Sequence, residues 1–137
     1  MECIEASKLK REDCEAFFQG EFPVTITEKE INQYGYFIKE DRLQAFLMLV
    51  PLTEDSVQLK HLYMKEKLAP MYILAMIEIC IQLVKKMELK HMYIYSEQDA
   101  LNQLAQQLQF EQVLASPDNQ QRPGKWWCIS VDYAKSY

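Results

Sequence analysis

The stretch that most constrains the fold is residues 70–87. Its polar positions, Glu78, Gln82, Lys85 and Lys86, fall at helical spacing and leave one narrow wet stripe, with almost every other position apolar. A helix that apolar packs deeply against a sheet. Pro70 suits its first turn, where a missing N–H costs nothing. The run is too short, and too interrupted by Glu78 and Gln82, to cross a membrane.

The flanking segments supply the sheet. Residues 34–39 read as a strand, with Glu40-Asp41-Arg42 as a polar turn. Residues 43–50 are apolar on both faces after Gln44, as in a strand covered from both sides. Pro51 is expected to end it. After Thr53-Glu54-Asp55, residues 57–64 form a third strand. Short turns imply that these three pair antiparallel. Beyond the long helix, residues 91–95 form a strand reached by a right-handed crossover. Residues 98–107 form a shorter helix with Leu101, Leu104 and Leu108 inward, then come a strand at 110–114, a polar and mobile loop at 116–125 and a last strand at 126–131. Near the N-terminus, residues 8–19 read as an amphipathic helix capped by Ser7 and stopped by Gly20. Residues 23–32 read as a connector with a short helical turn. The expectation is one domain over 1–137, an α/β fold with a mixed, mostly antiparallel sheet of six or seven strands flanked by helices.

Composition narrows the function classes. The chain has 137 residues, 49% hydrophobic, and a net charge of −5. No basic stripe is present, which argues against a nucleic-acid partner. Cys3, Cys14, Cys80 and Cys128 stand far apart, with no Cys-x-x-Cys pair and no histidine cluster at metal spacing. Cys80 and Cys128 read as small core residues. The setting expected is a reducing cytoplasm. Residues 1–5 lack the basic and apolar regions of a secretion signal.

The order strand, strand, buried helix, strand, short helix, strand resembles the GCN5-related N-acetyltransferase (GNAT) superfamily over most of the chain. Leu62-Tyr63-Met64 resembles the end of that family's fourth strand, and residues 73–78 resemble the start of its main helix. Leu108-Gln109-Phe110 resembles its Leu-Gly-Phe after the short helix. Counted from Met64, the basic position of the family's glycine-rich loop falls on Leu68 and its two small positions on Met71 and Ile73. The helix-opening Asn falls on Asp99, the frequent general-acid Tyr on Ala105, and the Gly of Leu-Gly-Phe on Gln109.

The resemblance implies transfer of an acyl group from acetyl-CoA to a small-molecule or protein amine. The replaced loop bears on that. Glycine gives a pyrophosphate cradle both close approach and unusual dihedrals, whereas Met71 and Ile73 bring side chains and Pro70 removes a donor. In the family's usual pose, coenzyme A affinity is expected to fall by several kcal/mol, at roughly 1–3 kcal/mol for each unmade buried hydrogen bond. Pantetheine pairing with strand backbone survives, because it does not depend on side chains. The cofactor-binding candidates are therefore Leu62, Tyr63 and Met64, with Lys65 and Lys67 as substitute cations and Asp99 and Asn102 on the short helix.

His61, on the third strand of the meander, is the candidate base, since its ordinary pKa suits neutral pH. Tyr95 is the candidate acid, Tyr93 and Tyr95 being otherwise rings that pack against a helix. Trp126-Trp127 points one ring in and one out, the outer one offering a partner surface. Apolar residues near the C-terminus are compatible with a homodimer. A second reading is a non-catalytic binding or regulatory module of the same fold. A third is an unrelated α+β domain with the same element order.

Overall fold

The computed structural model describes residues 1–19, 26–65, 70–118 and 120–131. Seven strands hydrogen-bond in the order β1-β2-β3-β4-β5-β7-β6. They are β1 (Glu2–Glu5), β2 (Gly35–Glu40), β3 (Arg42–Thr53), β4 (Ser56–Met64), β5 (His91–Ser96), β6 (Glu111–Val113) and β7 (Lys125–Ser130). The helices are α1 (Arg11–Phe17), α2 (Glu28–Tyr34), α3 (Pro70–Lys86) and α4 (Asp99–Gln107). The described pairings are antiparallel except β4 with β5, which is parallel, Ser56 to Leu59 facing His91 to Ile94. This is the mixed, mostly antiparallel sheet expected from the meander and the crossover.

The residues fall into two compact units: 1–49 with 61–77, and 50–60 with 78–137. In the first, β1, β2 and the start of β3 pair antiparallel, with Phe37 opposite Phe46. Phe37, Ile38, Phe46, Leu47 and Met48 are essentially sealed from solvent, so the double-faced apolar run is a covered strand. Its end differs from expectation. β3 continues through Pro51 to Thr53, five residues past Met48, the last position with a β2 partner. A proline beyond the partner's reach removes no bond of that ladder.

The N-terminal helix is also shorter than expected. Residues 6–8 form a 3-10 turn, and α1 starts at Arg11 behind Lys10, not behind Ser7. Gly20 lies outside the described residues. The connector holds a full helix, α2, started by a capping box: Glu30 N donates to Thr27 Oγ1 at 3.1 Å, and Thr27 N donates to Glu30 Oε1 at 3.4 Å.

In the second unit, Val57, Leu59, Cys80, Val84, Met92, Ile94 and Phe110 are buried. The wet stripe of α3 is exposed at Glu78, Gln82 and Lys86. Both long helices end alike. Glu88 follows α3 with φ 61°, Leu89 N donating to Val84 O at 3.2 Å and Glu88 N to Lys85 O at 2.9 Å. Gln109 follows α4 with φ 65°, Phe110 N donating to Ala105 O at 3.0 Å and Gln109 N to Gln106 O at 3.1 Å. These are Schellman ends with a non-glycine residue in the left-handed position.

Candidate functional site

His61, Leu62, Tyr63, Met64 and Lys65 share the first unit. β4 is buried from Ser56 to Leu59, half-buried from Lys60 to Leu62, and exposed at Tyr63 and Met64. His61 has φ 53°, a left-handed backbone inside a strand. Histidine is among the side chains that enter this region most readily, yet the conformation still costs about 1–3 kcal/mol and marks an irregular strand. Beyond the kink, Lys65 N donates to Gln44 O at 3.0 Å, anchoring the end of β4 to the start of β3.

Around this segment stands an aromatic cluster. Phe18 meets Phe17 at 4.9 Å, Phe46 at 5.2 Å and Tyr63 at 5.8 Å, each edge to face. The Lys65 ammonium lies over the Phe17 ring, 5.4 Å from its centroid, a cation–π placement. Lys67 lies outside the described residues, as do Leu68 and most of the loop before α3. Met71, at one of the family's small positions, is 79% exposed.

Tyr95, Asp99 and Asn102 belong to the second unit. The Tyr95 hydroxyl accepts a hydrogen bond from Gly124 N at 2.9 Å, and a side chain on Gly124 would meet that hydroxyl at 2.7 Å. The Tyr95 ring packs on Trp126 at 5.2 Å, and the Arg122 guanidinium sits 5.4 Å from its centroid. Arg122 also pairs with Asp118 at 2.9 Å. The Ser116 hydroxyl, foremost, holds the Asp118 carboxyl below its usual range, with Gln120 N and Arg122 adding to the effect. The loop expected to be mobile is thus cross-linked by its own side chains. Asn102 Oδ1 accepts from the Trp127 indole at 2.8 Å. Asp99 and Asn102 line a polar cavity of about 530 Å³ with Gln103, Gln106, Phe110 and Trp127.

The two tryptophans correct the sequence expectation of one inward and one outward ring. Trp126 is 4% exposed and Trp127 5%. They do alternate, but both faces are covered, by Tyr93 and Tyr95 around Trp126 and by the Asn102 contact at Trp127. Neither offers a surface to a partner. Cys128 is half-buried rather than core. It sits opposite Tyr93 across β5 and β7. Burial raises both groups, the neighbouring thiol adding to the effect on Tyr93.

Among the described residues, no group of three His, Cys, Asp or Glu side chains could hold a metal ion, and no helix is long and apolar enough to cross a membrane.

No protein-family model matches the sequence, and no curated protein matches it significantly. Solved structures do share its fold. N-acetylglutamate synthase from Neisseria gonorrhoeae, solved with coenzyme A and N-acetyl-glutamate, superposes with a TM-score of 0.71 at 13% identity over 95% of this chain. The chain spans only 35% of that protein's length. An N-acetyltransferase from Staphylococcus aureus gives 0.68 at 11% identity, covering 96% of both chains. The Campylobacter jejuni N-acetyltransferase PseH, solved with acetyl coenzyme A, gives 0.62 at 12% identity over 94% of this chain and 97% of its own.

Proposed function

We propose, from the GNAT acyl-CoA N-acyltransferase fold that this chain has, that residues 1–137 are one GNAT-like domain that transfers an acetyl group from acetyl-CoA to an amine. The observation that carries the reading is the fold shared over 94% of the chain with an acetyltransferase solved with acetyl coenzyme A. The acceptor is a small-molecule or protein amine, and the setting a reducing cytoplasm.

The residues fit the cofactor at one end. Leu62, Tyr63 and Met64 follow the His61 kink and emerge from the buried part of β4, so their backbone can pair with pantetheine whatever their side chains. The fit is poor at the pyrophosphate, where Met71 and Ile73 replace the small residues that allow close approach. Lys65 and Lys67, and Asp99 and Asn102 on α4, are the remaining candidates for cofactor contact. When bound, acetyl-CoA supplies the acyl group as a thioester. His61 takes the proton of the attacking amine on its imidazole, and its strained backbone is the kind of irregularity found where a residue is held for function. Tyr95 accepts its bond from Gly124 through oxygen and so keeps its own proton to donate, as an acid requires.

The loop sequence favours a second reading, a non-catalytic binding or regulatory module of the same fold, since Leu68, Met71 and Ile73 all depart from the family's signature. Titration calorimetry with acetyl-CoA, with the dephospho analogue as control, separates the two. Micromolar binding, followed by thiol release with an amine panel and its loss in His61→Gln, supports the enzyme. Absence of heat at millimolar ligand overturns it.

A further inference from the structure

The polar cavity of about 530 Å³ in the second unit has a lining rich in carboxamides. Asp99, Asn102, Gln103 and Gln106 come to it from one face of α4, at spacings of three and four residues, and span about 10 Å along the helix. Gln112 comes from β6 and Lys125 from β7. Among the described residues, the lining carries one carboxylate, Asp99, and one ammonium, Lys125. The two charges cancel, so the lining selects for neither an anion nor a cation.

Asn102 is the fixed point of that lining. An indole only donates, so the Trp127 bond at 2.8 Å holds the Asn102 oxygen toward the ring and leaves its amide nitrogen on the other side. Among the described residues, the two N–H of that nitrogen have no partner. Gln103, Gln106 and Gln112 each add donors and an acceptor on one carboxamide. The complement of such a lining is a neutral ligand with hydroxyls around its rim. A hydroxyl donates and accepts at one atom, so a carboxamide beside two neighbouring hydroxyls donates to one and accepts from the other. The Asp99 carboxylate accepts from a hydroxyl in the stronger, charge-assisted way. Groups that converge from a helix and two strands suit a compact ring rather than an extended chain. Phe110 and Trp127, each 5% exposed, add a small apolar area for the ring's C–H groups.

We propose that this cavity binds a neutral monosaccharide, its neighbouring hydroxyls held by Asp99, by the Asn102 amide nitrogen and by the glutamine carboxamides. The proposal does not rest on the acetyltransfer reading, and it gives Asp99 and Asn102 a ligand other than acetyl-CoA.

Trp127 reports on the cavity through its bond to Asn102. The chain has two tryptophans, hence two indole N–H signals in a proton–nitrogen correlation spectrum, and Trp126→Phe assigns them. The whole chain is titrated with D-glucose, D-galactose and D-mannose in turn. Cyclohexanol, a ring of the same size with a single hydroxyl, and N-methylacetamide, a peptide group, serve as controls. At least one sugar is expected to shift the Trp127 signal saturably while the Trp126 signal stays in place. The three sugars are expected to differ, because their hydroxyls point in different directions. The double variant Gln103→Ala, Gln106→Ala changes two exposed positions to a good helix former, and is expected to stay folded and bind the sugar roughly tenfold or more weakly, the scale of one or two lost hydrogen bonds. The proposal is overturned if no sugar moves the Trp127 signal, if both indoles move together, if a control acts as well as the sugars, or if the double variant binds unchanged. Acetyl-CoA added to the sugar-bound sample keeps the two claims apart. Retention of the sugar supports a site of its own; displacement returns Asp99 and Asn102 to the cofactor and overturns the proposal.

Discussion

The Trp127 indole donates to Asn102 Oδ1 at 2.8 Å, tying a buried ring of β7 to the second turn of α4. Asn102 thus has a structural duty separate from any contact with a cofactor. Asn102→Leu strands a buried donor and is expected to cost about 1–3 kcal/mol. Asn102→Asp keeps the acceptor and most of the stability. Urea melts of both variants check this, and acetyl-CoA titration of Asn102→Asp reports any cofactor role independently of folding.

Its sequence neighbour behaves in the opposite way. Trp126 Nε1 is buried and has no hydrogen-bond partner among the described residues. Trp126→Phe loses ring area but no hydrogen bond, whereas Trp127→Phe loses both. Trp127→Phe is expected to be the more destabilising by about 1 kcal/mol, read as the difference between their denaturation free energies.

His61 permits a test of backbone strain apart from chemistry. At φ 53° glycine rests freely and alanine does not. His61→Gly is expected to be more stable than His61→Ala by about 1 kcal/mol. Both are expected to lose acetyl transfer. Equal stability of the two would count against a left-handed residue 61.

Gln109 gives the complementary case. It holds the left-handed position of the α4 Schellman end, where glycine is the usual residue. Gln109→Gly is expected to stabilise the chain by about 0.5–1 kcal/mol, the relief of strain exceeding the added freedom of the unfolded chain. Thermal melting at neutral pH measures it.

Alkaline pH acts through three buried or half-buried groups. Burial, chiefly, raises the Cys14 and Cys128 thiols above their ordinary 9.0 and the Tyr93 hydroxyl above 10.0. The folded chain therefore holds these protons more tightly than the unfolded chain. Their contribution to stability is complete below about pH 9 and is lost as pH rises through the raised values. Denaturation midpoints are expected to fall from pH 9 upward, and Cys128→Ala to flatten part of that fall.

Elements with strong periodicity were legible in the sequence. The wet stripe of α3 gave its length to within a residue, and β5 alternates as written, with Met92, Ile94 and Ser96 buried between half-buried neighbours. Placing the family's Leu-Gly-Phe glycine on Gln109 put it on the left-handed residue that ends α4. β1 was missed because an edge strand of four residues, acidic at both ends, carries too little alternation. α2 was expected only as a short helical turn, although the Thr27-x-x-Glu30 spacing of a capping box signals a full helix start. The kink at His61 left no mark, since no glycine stands there. Trp127 shows the limit of counting: alternation tells which face a side chain takes, but not whether that face is covered. Lys65, read as a phosphate cation, lies over Phe17, a contact between residues 48 positions apart in sequence that no local pattern encodes.

The sheet ends on one side in β1, four residues long with Glu2 and Glu5 at its tips, and on the other in β6, three residues beginning at Glu111. Short acidic margins are poor templates for a strand from another copy, because little backbone is left to pair and like charges would be brought together. These two borders therefore disfavour edge-to-edge pairing between copies of the sheet. Neutralising them, as with glutamine at residues 2, 5 and 111, would be the most direct way to make a well-folded protein sticky.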